Sequence, residues 1–244
     1  RKEYLAKRSL RKLEVRNMQT LVKNKWWILG IVCVLFVVLM PILIPNEYLM
    51  TVLCNALVYA IAVYGLNIML GLGGQVTFST AGMMGVGAFV SAILTTRAGV
   101  HPMLALLCSI IFVGIVSLGL GFALFRLKGN YFAFASIALA QILYVVMLNW
   151  KEVTGGADGI SKIPPFDMGF FQGDPMNKVS YFYIIFGFAL LLGLVVYRIR
   201  TTSLGRSLSS IRDNEIAANC LGVNVFRTKV ISFVLAGILA GIAG

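Results

Sequence analysis

Apolar residues along this chain come in long, unbroken blocks, not in the short amphipathic runs of a water-soluble fold. Charge-free stretches cover residues 26–46, 48–96, 98–125, 129–150, 179–197 and 230–244. A helix needs about 20 apolar residues to cross roughly 30 Å of hydrocarbon. That rule predicts spans at 26–44, 48–70, 102–125, 131–149 and 180–197. Residues 71–94 are a third, glycine-rich membrane segment, expected to cross once. The stretch 230–244 begins a seventh span, but its 15 residues are too few to cross, so the chain is expected to be part of a longer protein.

Composition agrees. The 244 residues are 59% hydrophobic and 12% charged, with a mean hydropathy of +0.89. A soluble globular chain carries about 25% charged residues. The expectation is an all-α polytopic membrane protein with no soluble domain of any size. The net charge of +12 follows topology. The tail 1–25 holds nine Lys/Arg, 126–128 two and 198–229 six, while the alternate segments hold only Arg97, Lys151, Lys162 and Lys178. The positive-inside rule therefore puts the N-terminus in the cytoplasm. Basic residues at span ends, away from any folded polar face, argue against a nucleic-acid partner. Leu10, Leu13, Leu21 and Val22 among the tail's charges suit a helix lying on anionic lipid. The first span reads as a retained anchor, since its apolar core is too long for a signal peptide.

Several kinds of chemistry have little to work with. The single histidine, His101, falls in an external turn beside Pro102, and Cys33, Cys54, Cys108 and Cys220 lack metal-ligand spacing. All nine carboxylates lie outside the spans, whereas ion-coupled transporters place Asp, Glu or His within the membrane. No phosphate-cradling G-x-x-x-x-G-K-[ST] loop is present, so ATP would have to act through another subunit. No cofactor is expected.

The informative residues are the polar ones that the lipid did not exclude. Residues 71–89 carry Gly71, Gly73, Gly74, Gly82, Gly85 and Gly87, with the uncharged polar Gln75, Thr77, Ser79 and Thr80. Glycine weakens a helix, and a broken helix is tolerated in lipid only where protein or water supplies partners. Such segments line substrate paths, or else their glycines serve close packing; the residues alone leave both open. Asn55, Asn67 and Gln141 are expected to hydrogen-bond between helices, and Gly237 and Gly241 to form a small-residue contact face. In the cytoplasmic segment 198–229, Leu204, Leu208 and Ile211 recur at helical spacing beside Arg206 and Arg212. Asp213 is a candidate N-cap for a short helix over 215–221 with Gly222 as its stop. Two short helices beneath the membrane, the second rich in alanine, suit insertion into a groove on another protein. The long external segment 150–179 suits a gate or docking surface.

Four blocks then resemble one family, the permease subunits of branched-chain amino acid ABC transporters, in particular the longer of two paired permeases. They are residues 74–89 (GQVTFSTAGMMGVGAF), 129–160, 205–224 (GRSLSSIRDNEIAANCLGVN) and 236–244 (AGILAGIAG). The resemblance implies an ABC importer permease bundle with a second permease subunit, two cytoplasmic ATP-binding subunits and an external solute-binding protein, in the bacterial inner membrane. It further implies spans beyond Gly244. Gln75, Thr77, Ser79, Thr80 and Gln141 become candidates for the substrate path. Gly205, Arg206, Arg212, Asp213, Glu215, Ala217, Ala218 and Gly222 become candidates for ATPase coupling. Thr77, Ser79 and Thr80 stand where the family more often has Ser, Gly and His, and Gln141 where Glu is common. A urea or short-amide substrate is thus an alternative to a small neutral amino acid. An ATPase-independent facilitator is the rival from another class.

Overall fold

A computed structural model describes Pro41 and residues 46–127, 129–161, 163–164 and 178–244. The tail, the first expected span and most of the 150–179 loop lie outside the described residues. Backbone contacts divide the chain into two units, Arg1–Met50 and Thr51–Gly244. The described part of the first is Pro41 and the start of α1; the rest concerns the second.

Helix α1 (Glu47–Leu66) starts at Asn46, whose Oδ1 accepts the Tyr48 amide at 3.0 Å. It runs on through a wide π-helical turn, Asn67–Leu72. Residues 73–79 leave the helix, and α2 (Thr80–Thr96) follows. Helix α3 (Pro102–Leu124) opens with a proline at its first turn, while His101 accepts the Met103 amide. Next come α4 (Asn130–Asn149), the single-turn α5 (Lys151–Thr154) and α6 (Lys178–Thr201). Two short helices, α7 (Ser203–Asp213) and α8 (Glu215–Cys220), lead into α9 (Val225–Ala243). Among the described residues the secondary structure is helical throughout. Five of the described helices are long and apolar enough to cross a membrane: α1 with its π turn, α3, α4, α6 and α9. Helix α2, at 17 residues, is shorter.

Helix α9 differs from the sequence expectation. It begins at Val225, not at residue 230, and its 19 residues are long enough to cross. Asn224 caps it, accepting the Arg227 amide at 3.0 Å. Counting only charge-free residues cut the helix short, because Arg227 and Lys229 occupy its first turns, where long basic side chains can extend toward polar surroundings.

That helix is also the centre of the packing, with nine buried residues against three on α4. Phe233, Ala236 and Ala240 join one apolar cluster with Met83, Val113 and Phe132. Leu239 and Ala243 join a second with Ile61, Ala189 and Leu208. In lipid, burial of apolar surface does not drive helices together, so close van der Waals contact must. The sequence meets this with small residues. Ala105, Ser109, Val113, Ser117 and Gly121 recur every fourth position on the buried face of α3. Gly237 sits against Ser117 and Gly241 against Val113, while Ser109 Oγ donates to the Gly87 carbonyl at 3.0 Å. The predicted Gly237/Gly241 face is therefore a helix contact, with α3 and α2 as its partners. Among the described residues Asn55, Asn67 and Gln141 bridge no helices; all three are exposed.

Candidate functional site

The end of α1 shows how the broken stretch is built. Two of its last amides reach back further than an α-helix allows, Gly73 N–H to Ile68 O and Gln75 N–H to Met69 O, while Gly74 N–H bonds Leu70 O at the ordinary spacing, all at 3.0–3.2 Å. This widened exit places Gly74 in the left-handed region (φ +65°), where a side chain is strained. From there the chain runs non-helically to α2. Thr77 and Ser79 are buried and share a hydrogen bond of 2.9 Å, and Phe78 N–H donates to Ser136 Oγ of α4 at 3.0 Å. Several of the freed polar groups thus find partners within the protein, as a broken helix in lipid needs. The break spans residues 73–79, and Thr80, half-buried, already belongs to α2.

Beneath it lies the α7–α8 pair. Leu208 and Ile211 are buried and Leu204 half-buried, as their spacing predicts, and Arg206 and Arg212 project outward. Both arginines cap membrane-helix ends. Arg206 Nη1 donates to Thr201 O of α6 at 2.9 Å, and Arg212 Nη1 to Gly71 O of α1's π turn at 2.8 Å. A cation at a helix C-terminus also meets the negative end of the dipole. Gly205 is obligatory in this corner, since a Cβ there would lie 2.5 Å from the carbonyls of Ile199 and Arg200.

The cap of α8 corrects the sequence reading. Asn214, not Asp213, is the N-cap: its Oδ1 accepts the amides of Ile216 and Ala217, each at 3.0 Å. Burial of Ile211 carries α7 through Asp213, whose carboxylate pairs with Arg212 at 3.3 Å. The extended backbone of Asn214 (φ −159°, ψ 108°) then frees that side chain to cap. The stop falls at Gly222, which has φ +84°; its amide bonds Asn219 O and that of Val223 bonds Ala218 O, a Schellman closure. Ala218 is buried and Ala217 exposed. Sequence reasoning passed over the residues that now stand out. Ile216 and Leu221 are 77% and 83% exposed, the first on the six-residue α8 and the second at its C-cap. Two large apolar side chains in a run of otherwise small or polar residues were the available signal.

A cleft of about 1240 Å³ separates the break, the α3–α4 turn and α8. Gln75 lines it together with Asn130, Glu215, Asn219, Gly222 and Lys229. Across it Lys229 Nζ holds Glu215 Oε2 at 2.7 Å. One path candidate, Gln75, and two coupling candidates, Glu215 and Gly222, are thus brought together. Thr77 and Ser79 are used inside the fold, and Gln141 sits apart on the exposed side of α4. Among the described residues no three His, Cys, Asp or Glu side chains gather to hold a metal ion.

The chain is similar to the high-affinity branched-chain amino acid transport system permease protein LivM of Escherichia coli K12, at 30% identity over 77% of this chain and 49% of the relative. Its counterpart in Salmonella typhimurium LT2 is similar to the same degree. The probable branched-chain amino acid transport permease protein LivH of Methanocaldococcus jannaschii is 28% identical over 79% of this chain and 64% of its own length. The chain thus spans about half the length of the LivM proteins it matches. No solved structure matches it. The family described as branched-chain amino acid transport system, permease component, matches residues 48–244. With five helices among the described residues fit to cross a membrane, the chain is a multi-pass membrane protein that belongs to this family.

Proposed function

We propose that the chain is the core of a permease subunit in an ATP-driven ABC importer. Its substrate would be a branched-chain or other small neutral amino acid, delivered by an external solute-binding protein. It would act in a bacterial cytoplasmic membrane, N-terminus inside, beside a second permease subunit and two cytoplasmic ATP-binding subunits. Names of the relatives support the substrate class.

The observation that carries this reading is α8. It is capped at both ends, seated on the bundle by buried Ala218, and presents Ile216 and Leu221 to solvent. An exposed apolar pair on a rigid short helix is costly in water and useful in a groove of a partner. Helix α7 joins that knob to the ends of two membrane helices through Arg206 and Arg212, so closure of the ATP-binding subunits would tilt the bundle as a body. The third membrane segment, broken at 73–79, would form the inner part of the solute path. Gln75 and Thr80 are left for contact with solute, and Gln141 on the face turned to the second permease. Thr77 and Ser79 would shape the segment.

Proteoliposomes test it directly. Uptake by the complete assembly should require ATP and the binding protein, and the permease alone should pass no solute. Solute flux through the permease alone would overturn the reading in favour of a facilitator.

A further inference from the structure

The contact between α7 and the break is more specific than a docking helix needs. Arg212 and Gly71 are 141 positions apart, yet the guanidinium holds that carbonyl at 2.8 Å. Asp213 Oδ1 orients the same guanidinium, accepting from Nε and Nη2 at 3.3 and 3.4 Å. The Arg212 stem fills the space beside Gly74: a Cβ on that glycine would lie 2.6 Å from Arg212 Cγ. Leu208, fully buried, packs beside Gly73 and within the cluster of Ile68. Three successive points of the π turn and its exit, Gly71, Gly73 and Gly74, are thus held by one face of α7.

The held element is one that can change state. A π turn carries one residue more than an α turn and is found mostly at functional sites. Here the Gly71 carbonyl takes its partner, Arg212, from another helix. Beyond Gly74 the chain leads through the Thr77–Ser79 hydrogen bond and the Phe78–Ser136 hydrogen bond onto α4. A displacement of Gly71 therefore has a route, along the short stretch of backbone from Gly74 to Phe78 and across the Phe78–Ser136 hydrogen bond, to the helix that carries Gln141.

We propose that Arg212 is a positioning residue which transmits movement of the α7–α8 pair to the broken segment, through its hydrogen bond to the Gly71 carbonyl and its contact with Gly74. This rests on the coupling role proposed above. It adds a particular joint at which hydrolysis and translocation can be separated. Coupling between two sites needs an element that both bias, and the π turn is that element. Arg206, which caps α6 in the same manner, lies away from the break and has no such part.

The test uses the full permease assembled with its partner subunits in liposomes, reading ATP hydrolysis and solute uptake together. Arg212→Gln should lower uptake per ATP hydrolysed about tenfold, the size of an ordinary coupling free energy. Gly74→Ala attacks the same joint from the membrane side and should do likewise. Hydrogen exchange across residues 71–79 should rise in Arg212→Gln and not in Arg206→Gln, which leaves that joint intact. An unchanged ratio of uptake to hydrolysis in both joint variants would overturn the proposal. So would equal loss of both activities, which would make Arg212 part of the ATPase contact. Ile216→Asp separates the two ideas: if it leaves the ATP-binding subunits bound, the coupling reading itself fails.

Discussion

Gly87 of α2 and Gly241 of α9 bring two helices together backbone to backbone: a Cβ on Gly87 would lie 2.6 Å from the Gly241 Cα. The approach seats Ser109 Oγ on the Gly87 carbonyl and closes the packing of α2, α3 and α9. Gly87→Leu should force these helices apart and cost about 1–3 kcal/mol, the usual range for overpacking. Thermal unfolding in detergent should show a melting temperature lowered by several degrees. Gly119→Leu is the control, because nothing lies within 4 Å of that position. Equal melting of the two variants would disprove the close contact.

Ile216 and Leu221 project from α8 where a partner groove would receive them. Apolar anchors at the centre of an interface contribute on the order of 2 kcal/mol each, or about 30-fold in affinity. Ile216→Asp and Leu221→Asp should therefore lose the ATP-binding subunits in co-purification, with the permease's own melting unchanged. Retained association would mean that α8 is not the contact.

Much of this architecture was legible because lipid leaves so few choices. The bounds expected for α3 and α4 differ from those observed by a residue, since a charged or polar group ends each apolar run. The α7 stripe of Leu204, Leu208 and Ile211 and the Gly222 stop were legible for a similar reason: helical spacing and left-handed glycine are local properties. What stayed hidden is not local. Asp213 and Asn214 are both fair N-caps by type, and only burial of Ile211 decides between them. Nothing near Arg212 in sequence announces Gly71. That Thr77 and Ser79 are buried against each other is equally absent from their spacing. The sequence likewise shows that Gln141 is polar at membrane depth, but not that it faces outward.

Asn214 supplies both first-turn hydrogen bonds of α8, so Asn214→Ala should cost about 1 kcal/mol of local stability. That corresponds to roughly fivefold faster hydrogen exchange at the Ile216 and Ala217 amides. Asn214→Asp keeps the acceptor and should restore protection. Asp213→Ala should leave those amides as they are, and faster exchange there would return the cap to Asp213.

Glu215 and Lys229 join α8 to the foot of α9 across the cleft, at 2.7 Å. The Glu215 side chain is 55% exposed, so the pair contributes under about 1 kcal/mol to folding. Its value would be positional. Glu215→Lys sets two cations against each other across the cleft, turning α8 from its seat without touching the membrane core. Membrane insertion and melting should then be preserved while uptake is lost. Gly222→Val, which forces a β-branched residue to φ +84°, should act the same way at the other end of the helix. If the contact is what matters, the swapped pair Glu215→Lys with Lys229→Glu should recover a substantial share of uptake. Failure of the swap, with assembly intact, would show that Glu215 acts on a partner and not on Lys229.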